Sequence, residues 1–166
     1  MAVTGKIDRK YMAHYIDAGS LCGGLTPKYE RLGKDLEEYN VELNPDTETS
    51  KNILGESTFK HNGYEVSSDA DPFYADTTSD LFTALQKIVD NRYKDDNLKT
   101  KAVEVHLWTE ATAGKYEAYQ QDCYVVPTSY GGDTSGYQIP FTVNYTGERA
   151  KGKFDISSGT FTADSE

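Results

Sequence analysis

Residues 29–56 read YERLGKDLEEYNVELNPDTETSKNILGE. The middle of this stretch alternates: Tyr39, Val41 and Leu43 fall on one side of an extended chain, and Glu38, Asn40 and Glu42 on the other. A period of two with one polar side marks a half-buried β-strand, here residues 36–43. Residues 44–57 then carry Pro45 and a run of hydrogen-bonding turn residues. They are expected to form a long loop, and such loops in small domains are functional or mobile. The apolar pair Ile53-Leu54 interrupts that polar run. It can fold back on its own domain or dock into another copy.

Working outward, the same alternation recurs. Residues 58–69 are expected as one strand, with Tyr64 and Val66 inward and Glu65, Ser67 and Asp69 outward, broken by Asp71-Pro72. Residues 10–17, 29–32, 101–109, 116–126, 137–145, 150–156 and 160–162 read as further strands. The Gly-rich runs 18–27 and 128–136 read as loops. Residues 79–91 give the one helix signal. Ser79 is a good N-cap, Asp80 suits the positive end of the helix dipole, and Leu81, Phe82, Leu85, Ile88 and Val89 share one face. The pattern predicts a mainly β fold with one α-helix, an antiparallel β-sandwich or partly closed barrel. It forms a single domain over residues 11–166, preceded by a polar arm, residues 1–10, that orders only against a partner.

The chain has 166 residues, enough for one domain with a real core. Its 17 Lys and Arg stand against 27 Asp and Glu, a formal charge of −10. Affinity for phosphates needs clustered cations, so non-specific nucleic-acid binding is not expected. Net negative charge keeps a protein soluble, and it also suits a surface along which DNA slides without sticking. Cys22 and Cys123 form no C-x-x-C pair and read as free thiols of a reducing cytoplasm, with a disulfide between them as the alternative. No apolar run reaches membrane-spanning length, and residues 1–10 lack the apolar segment of a signal peptide.

No constellation points to catalysis. His14, His61 and His106 lie in no metal motif, and His106 on a polar strand face reads as solvated. Asp69-Ala70-Asp71 and Asp95-Asp96 lack the ligand spacing of a calcium loop. Gly23-Gly24 and Gly131-Gly132 lack the Lys-Ser/Thr of a phosphate loop, so turn glycines are the plain reading. No cofactor, metal or enzyme activity is expected. Trp108, the lone tryptophan, reads as a core-rim residue or an interface anchor.

Residues 29–56, the segment HNGYEVSSDADPFYADTTSDLFTALQKIVDNR (61–92) and the strand LKTKAVEVHLW (98–108) follow one another in a set order and spacing. That order resembles the tail tube (major tail) proteins of long-tailed bacteriophages and prophages of Gram-positive bacteria, over roughly residues 29–154. The resemblance implies hexameric rings stacked into a hollow tube. One sheet of each subunit joins its neighbours around an acidic lumen through which DNA passes at ejection without specific binding. It assigns Glu38, Asn40, Glu42, Glu65 and Ser67 to the lumen wall. It assigns the 44–57 loop, with Pro45, Ile53 and Leu54, to inter-ring stacking, and the 79–91 helix to the outside. It implies tail terminator, tape-measure and distal tail proteins as partners, no membrane, and a place in the virion tail after assembly in the bacterial cytoplasm. The inner tube of a phage-derived contractile injection or killing device shares these features. A monomeric carbohydrate-binding β-sandwich is the alternative that the 13 tyrosines suggest.

Overall fold

The computed structural model describes residues 2–109 and 111–165. These residues form mainly antiparallel strands with one α-helix, the class that the alternation predicts. In chain order the elements are β1 (Met12–Asp17), β2 (Tyr29–Arg31), β3 (Val41–Glu42), β4 (Pro45–Lys51), β5 (Ser57–Tyr64), β6 (Ser67–Ala70), α1 (Asp80–Asn91), β7 (Lys99–His106), β8 (Lys115–Pro127), β9 (Gly131–Asp133), β10 (Gly136–Gln138), β11 (Phe141–Asp155) and β12 (Thr160–Ala163). The main sheet runs β2-β1-β7-β8-β11-β6-β3, with β12 pairing the far half of β11. Hairpins β4–β5 and β9–β10 stand outside it. No helix among the described residues is long and apolar enough to cross a membrane.

Successive residues of a strand face opposite sides of a sheet, and both sides are covered here. On one side Ile16, Cys123, Val125, Val143 and Phe141 cluster with the apolar stripe of α1, Leu81, Leu85, Ile88 and Val89. On the other, Ala13, Tyr15, Val103, Val105, Ala118 and Phe154 form a second core. The β2 edge of the run and β12, which pairs the far half of β11, both reach this second core. Tyr29 of β2 meets Phe154 edge-on at 5.9 Å, and Phe161 of β12 packs on the same cluster. The sheet therefore curls around this core without closing. Gly152 lets β12 approach β11 this closely, because a Cβ there would run into the backbone oxygen of Thr162.

Side chains from distant segments fix the rest. Ser79 caps α1, accepting from the Phe82 N–H at 3.1 Å. The Glu30 carboxylate on β2 accepts from the Ser79 hydroxyl (3.0 Å) and the Leu81 N–H (2.8 Å), placing negative charge at the positive end of the helix. Buried Asp17 organises the loop after β1. Its carboxylate accepts from the Ser20 N–H and hydroxyl and from the Lys28 N–H. Cys22 and Cys123 are both free thiols.

Several expected boundaries shift. Residues 44–57 are not a loop: most of them are β4 and the tip of a hairpin closed by β5. Of residues 36–43 only Val41–Glu42 pairs as strand. The Arg9 guanidinium takes the Tyr39 carbonyl at 2.7 Å, where a neighbouring strand would otherwise donate. Residues 58–69 are two strands, and Tyr64, expected inward, is exposed. The expected 128–136 loop holds β9 and the start of β10, whose Tyr137 and Gln138 were expected in the next strand. β11 is one strand across what reads as two, because an irregularity between Thr146 and Ala150 absorbs Gly147 without ending the pairing to β8. The N-terminal arm touches its own domain: the Val3 N–H donates to the Trp108 carbonyl at 3.0 Å, and Arg9 donates to the Met12 carbonyl. Residue 1 lies outside the described residues.

Candidate assembly interface

The β4–β5 hairpin leaves the domain with every residue of β4 exposed and every residue of β5 exposed except half-buried Gly63. One of its faces pairs Thr49 with Phe59 and Thr47 with His61; the other pairs Glu48 with Lys60 and Ser50 with Thr58. β-Branched threonines and an opposite-charge pair explain why this polar stretch forms strand at all. The Phe59, His61 and Tyr64 rings follow one another along β5, with centroids 6.5 and 4.6 Å apart.

The tip is a built turn. Asn52 accepts at its side-chain oxygen from the N–H groups of Leu54 (2.9 Å) and Glu56 (3.0 Å), and its amide donates to the Glu56 carboxylate at 2.9 Å. Gly55 supplies the positive φ of 81° that closes the turn. The result presents two aliphatic side chains outward on an ordered backbone: Ile53 is 102% exposed and Leu54 77%. With Leu43, Phe59 and Tyr64, half of the large hydrophobic residues exposed on the described surface lie on this one projection and its foot. Such a concentration marks an interaction surface. Pro45, the remaining stacking candidate, opens β4 opposite Tyr64 at the foot.

Beneath the foot lies a groove of about 300 Å³ lined by Tyr39, Leu43, Tyr64, Val66, Tyr119 and Tyr145, with His14 in its wall. Its phenols and its histidine are uncharged. Tyr39 and Tyr145 share a hydroxyl–hydroxyl hydrogen bond at 2.8 Å, and burial raises the pKa of both phenols. Burial, with help from Arg9, lowers His14 to about 4 and keeps it uncharged. Charge sits at the rim, where Arg149 lies 3.5 Å from Glu104 and 4.2 Å over the Tyr119 ring. His106 is held nearby rather than solvated: it contacts Glu104 at 2.8 Å and stacks on half-buried Trp108 at 4.4 Å.

The lumen candidates occupy the sheet margin beside this foot. Glu38, Asn40, Glu42 and Glu65 are exposed and Ser67 is half-buried. Glu42 and Ser67 are cross-strand partners, and Asn44 donates to Ser67 and to the Glu65 carbonyl, so these three candidates come together. Glu38 and Asn40 bond each other at 2.6 Å on the irregular segment before β3. Sequence reasoning missed the continuation of this face. Cross-strand register carries it from Ser67 and Asp69 to Asn144 and Thr142 on β11, with Thr146 beside Asp122 on β8. Thr142 donates to Asp69 at 2.8 Å. Farther on, Lys101 lies 3.9 Å from Asp122, so the face is acidic only toward β3 and β6. The inward alternation of Phe141 and Val143 was the available signal that Thr142 and Asn144 point the other way.

No family model matches the chain, and no curated protein matches its sequence. Among solved structures, the sheath/tube terminator of an extracellular contractile injection system (PVC) in the extended state has a similar outline. Its identity is 10% and its TM-score 0.49, over 90% of this chain and 99% of that one. The likeness is loose, and function rests on this chain's own side chains. Among the described residues no group of three or more His, Cys, Asp or Glu is placed to hold a metal ion.

Proposed function

We propose that this chain is a non-catalytic, self-assembling subunit of a phage-tail-like tube. Copies join side by side through their short sheet edges into rings, six to a ring as the sequence resemblance implies. Rings stack through the β4–β5 hairpin, and the face bearing Glu42, Ser67 and Asp69 lines a channel that conducts DNA. Tail terminator, tape-measure and distal tail proteins cap and fill such a tube.

The observation that carries this reading is the hairpin. An uncovered two-stranded hairpin is marginally stable in water, and exposed strand edges invite pairing. This one projects from the domain with an ordered tip that displays Ile53 and Leu54 to solvent. Docking against another copy gives both the strands and the tip the covering layer they lack. The acidic margin suits a channel, because carboxylates repel phosphate and hold water along the wall.

Sedimentation velocity from micromolar to millimolar protein tests the proposal. Concentration-dependent growth into large assemblies supports it. A species that stays monomeric throughout and shows saturable glycan binding supports the carbohydrate-binding alternative instead.

A further inference from the structure

We infer that the receptor for the Ile53-Leu54 tip is the groove at the foot of the hairpin on a second copy of this chain. This deepens the tube reading and rests on it.

Three observations converge. The first is chemical match. Beside its polar residues Glu104, Gln121 and Arg149, the groove has an aliphatic and aromatic wall of Tyr39, Val41, Leu43, Tyr64, Val66 and Tyr145, in which the Tyr39 and Tyr145 hydroxyls bond each other, so this wall offers contact area to an apolar occupant. Two adjacent aliphatic side chains on a turn whose backbone is already bonded fit that description. At about 300 Å³ the groove is at the small end of binding pockets, the scale of a side-chain pair rather than a folded element.

The second is charge. Arg149 at the rim keeps 47% of its side chain exposed and has one long contact to Glu104. The tip carries Glu56 directly after Gly55, held only by Asn52. A tip seated in the groove brings this carboxylate to the guanidinium. Of the two charged groups at the rim, Arg149 and Glu104, the half-exposed guanidinium is the one complementary to the segment proposed to enter it.

The third is reach. The seven residues of β4 span about 23 Å at ~3.3 Å per residue, so a tip cannot fold back into the groove at its own foot. The occupant is a different molecule, and the contact is head-to-tail: tip of one copy, foot of the next. Along a stacking axis such contacts repeat copy to copy and generate a linear array whose step is set by hairpin length, on the order of 20–30 Å.

The test mixes two full-length variants, Ile53→Cys and Leu43→Cys, under diamide oxidation, and maps disulfides by peptide mass spectrometry. Both positions are exposed in the single chain, so folding is not at risk. Each chain carries one introduced thiol, so a link between the two positions can only join separate copies. An Ile156→Cys chain, altered at an exposed position outside the groove, replaces Leu43→Cys as control. The expected result is the tip-to-foot disulfide well above the control. A second arm uses charge: Arg149→Glu and Glu56→Arg each weaken association about tenfold, and mixing the two variants restores it. Assembly without the tip-to-foot disulfide overturns the groove assignment and leaves the tube reading standing. Failure of the parent protein to assemble at millimolar concentration overturns both.

Discussion

Replacing Ile53 and Leu54 together with aspartate separates folding from assembly. In the single chain these side chains are 102% and 77% exposed, and the tip is held by Asn52 rather than by them. Exposed substitutions of this kind change stability by about 0.5 kcal/mol or less. Docking is different. Burying one aliphatic side chain of this size contributes about 1.5–3 kcal/mol, so the pair supplies about 3–6 kcal/mol per contact. At about 1.4 kcal/mol per tenfold, the association constant falls by roughly two to four orders of magnitude. Desolvating two new carboxylates lowers it further. The assay compares sedimentation velocity and thermal unfolding of parent and variant at matched concentration. The expected outcome is a monomer with an unchanged melting transition. Assemblies of normal size and yield from the variant refute the reasoning.

Three further outcomes follow from the same structure. Ser79→Ala removes an N-cap that also donates to Glu30; it lowers unfolding free energy by about 1–2 kcal/mol, read from the urea midpoint, and an unchanged midpoint contradicts the cap. Burial lowers His14 to about 4 in the folded protein, against about 6.5 for an ordinary histidine. The unfolded chain therefore takes up a proton first as pH falls, and stability declines between pH 6.5 and 4, by about 3 kcal/mol in all. His14→Gln flattens that part of the urea-derived stability profile, and a variant as acid-sensitive as the parent rules out the assignment. Glu42→Lys with Asp69→Lys leaves assembly intact but gives assembled particles salt-sensitive DNA binding in a retention assay; particles that still ignore DNA place these residues outside the channel.

Local signals in the sequence were readable where packing agrees with them. The helix follows from Ser79 and the spacing of Leu81, Leu85, Ile88 and Val89, all of which enter one core. The β7 and β8 strands follow from alternation, since each carries fully buried residues such as Val105 and Cys123. The hairpin was illegible for a physical reason: period two is visible only when one face is buried, and both faces of residues 45–51 are in solvent. Residues 36–43 mislead in the opposite sense. Tyr39 is buried and Glu38, Asn40 and Glu42 are exposed, as the alternation says, yet a side chain rather than a strand takes the Tyr39 carbonyl. The apolar pair Ile53-Leu54 was conspicuous from sequence, whereas its groove was not. Tyr39, Tyr64, Tyr145 and Arg149 come from separate segments, and only the tertiary fold assembles them.

Whether the chain builds stacked rings through its hairpin is decided by cryo-electron microscopy of the concentrated protein. The expected images show hollow, stacked rings with the β4–β5 hairpin bridging successive layers and its Ile53-Leu54 tip buried against the next subunit. Dispersed monomers at every concentration, or rings whose hairpins extend free into solvent, contradict stacking through the hairpin.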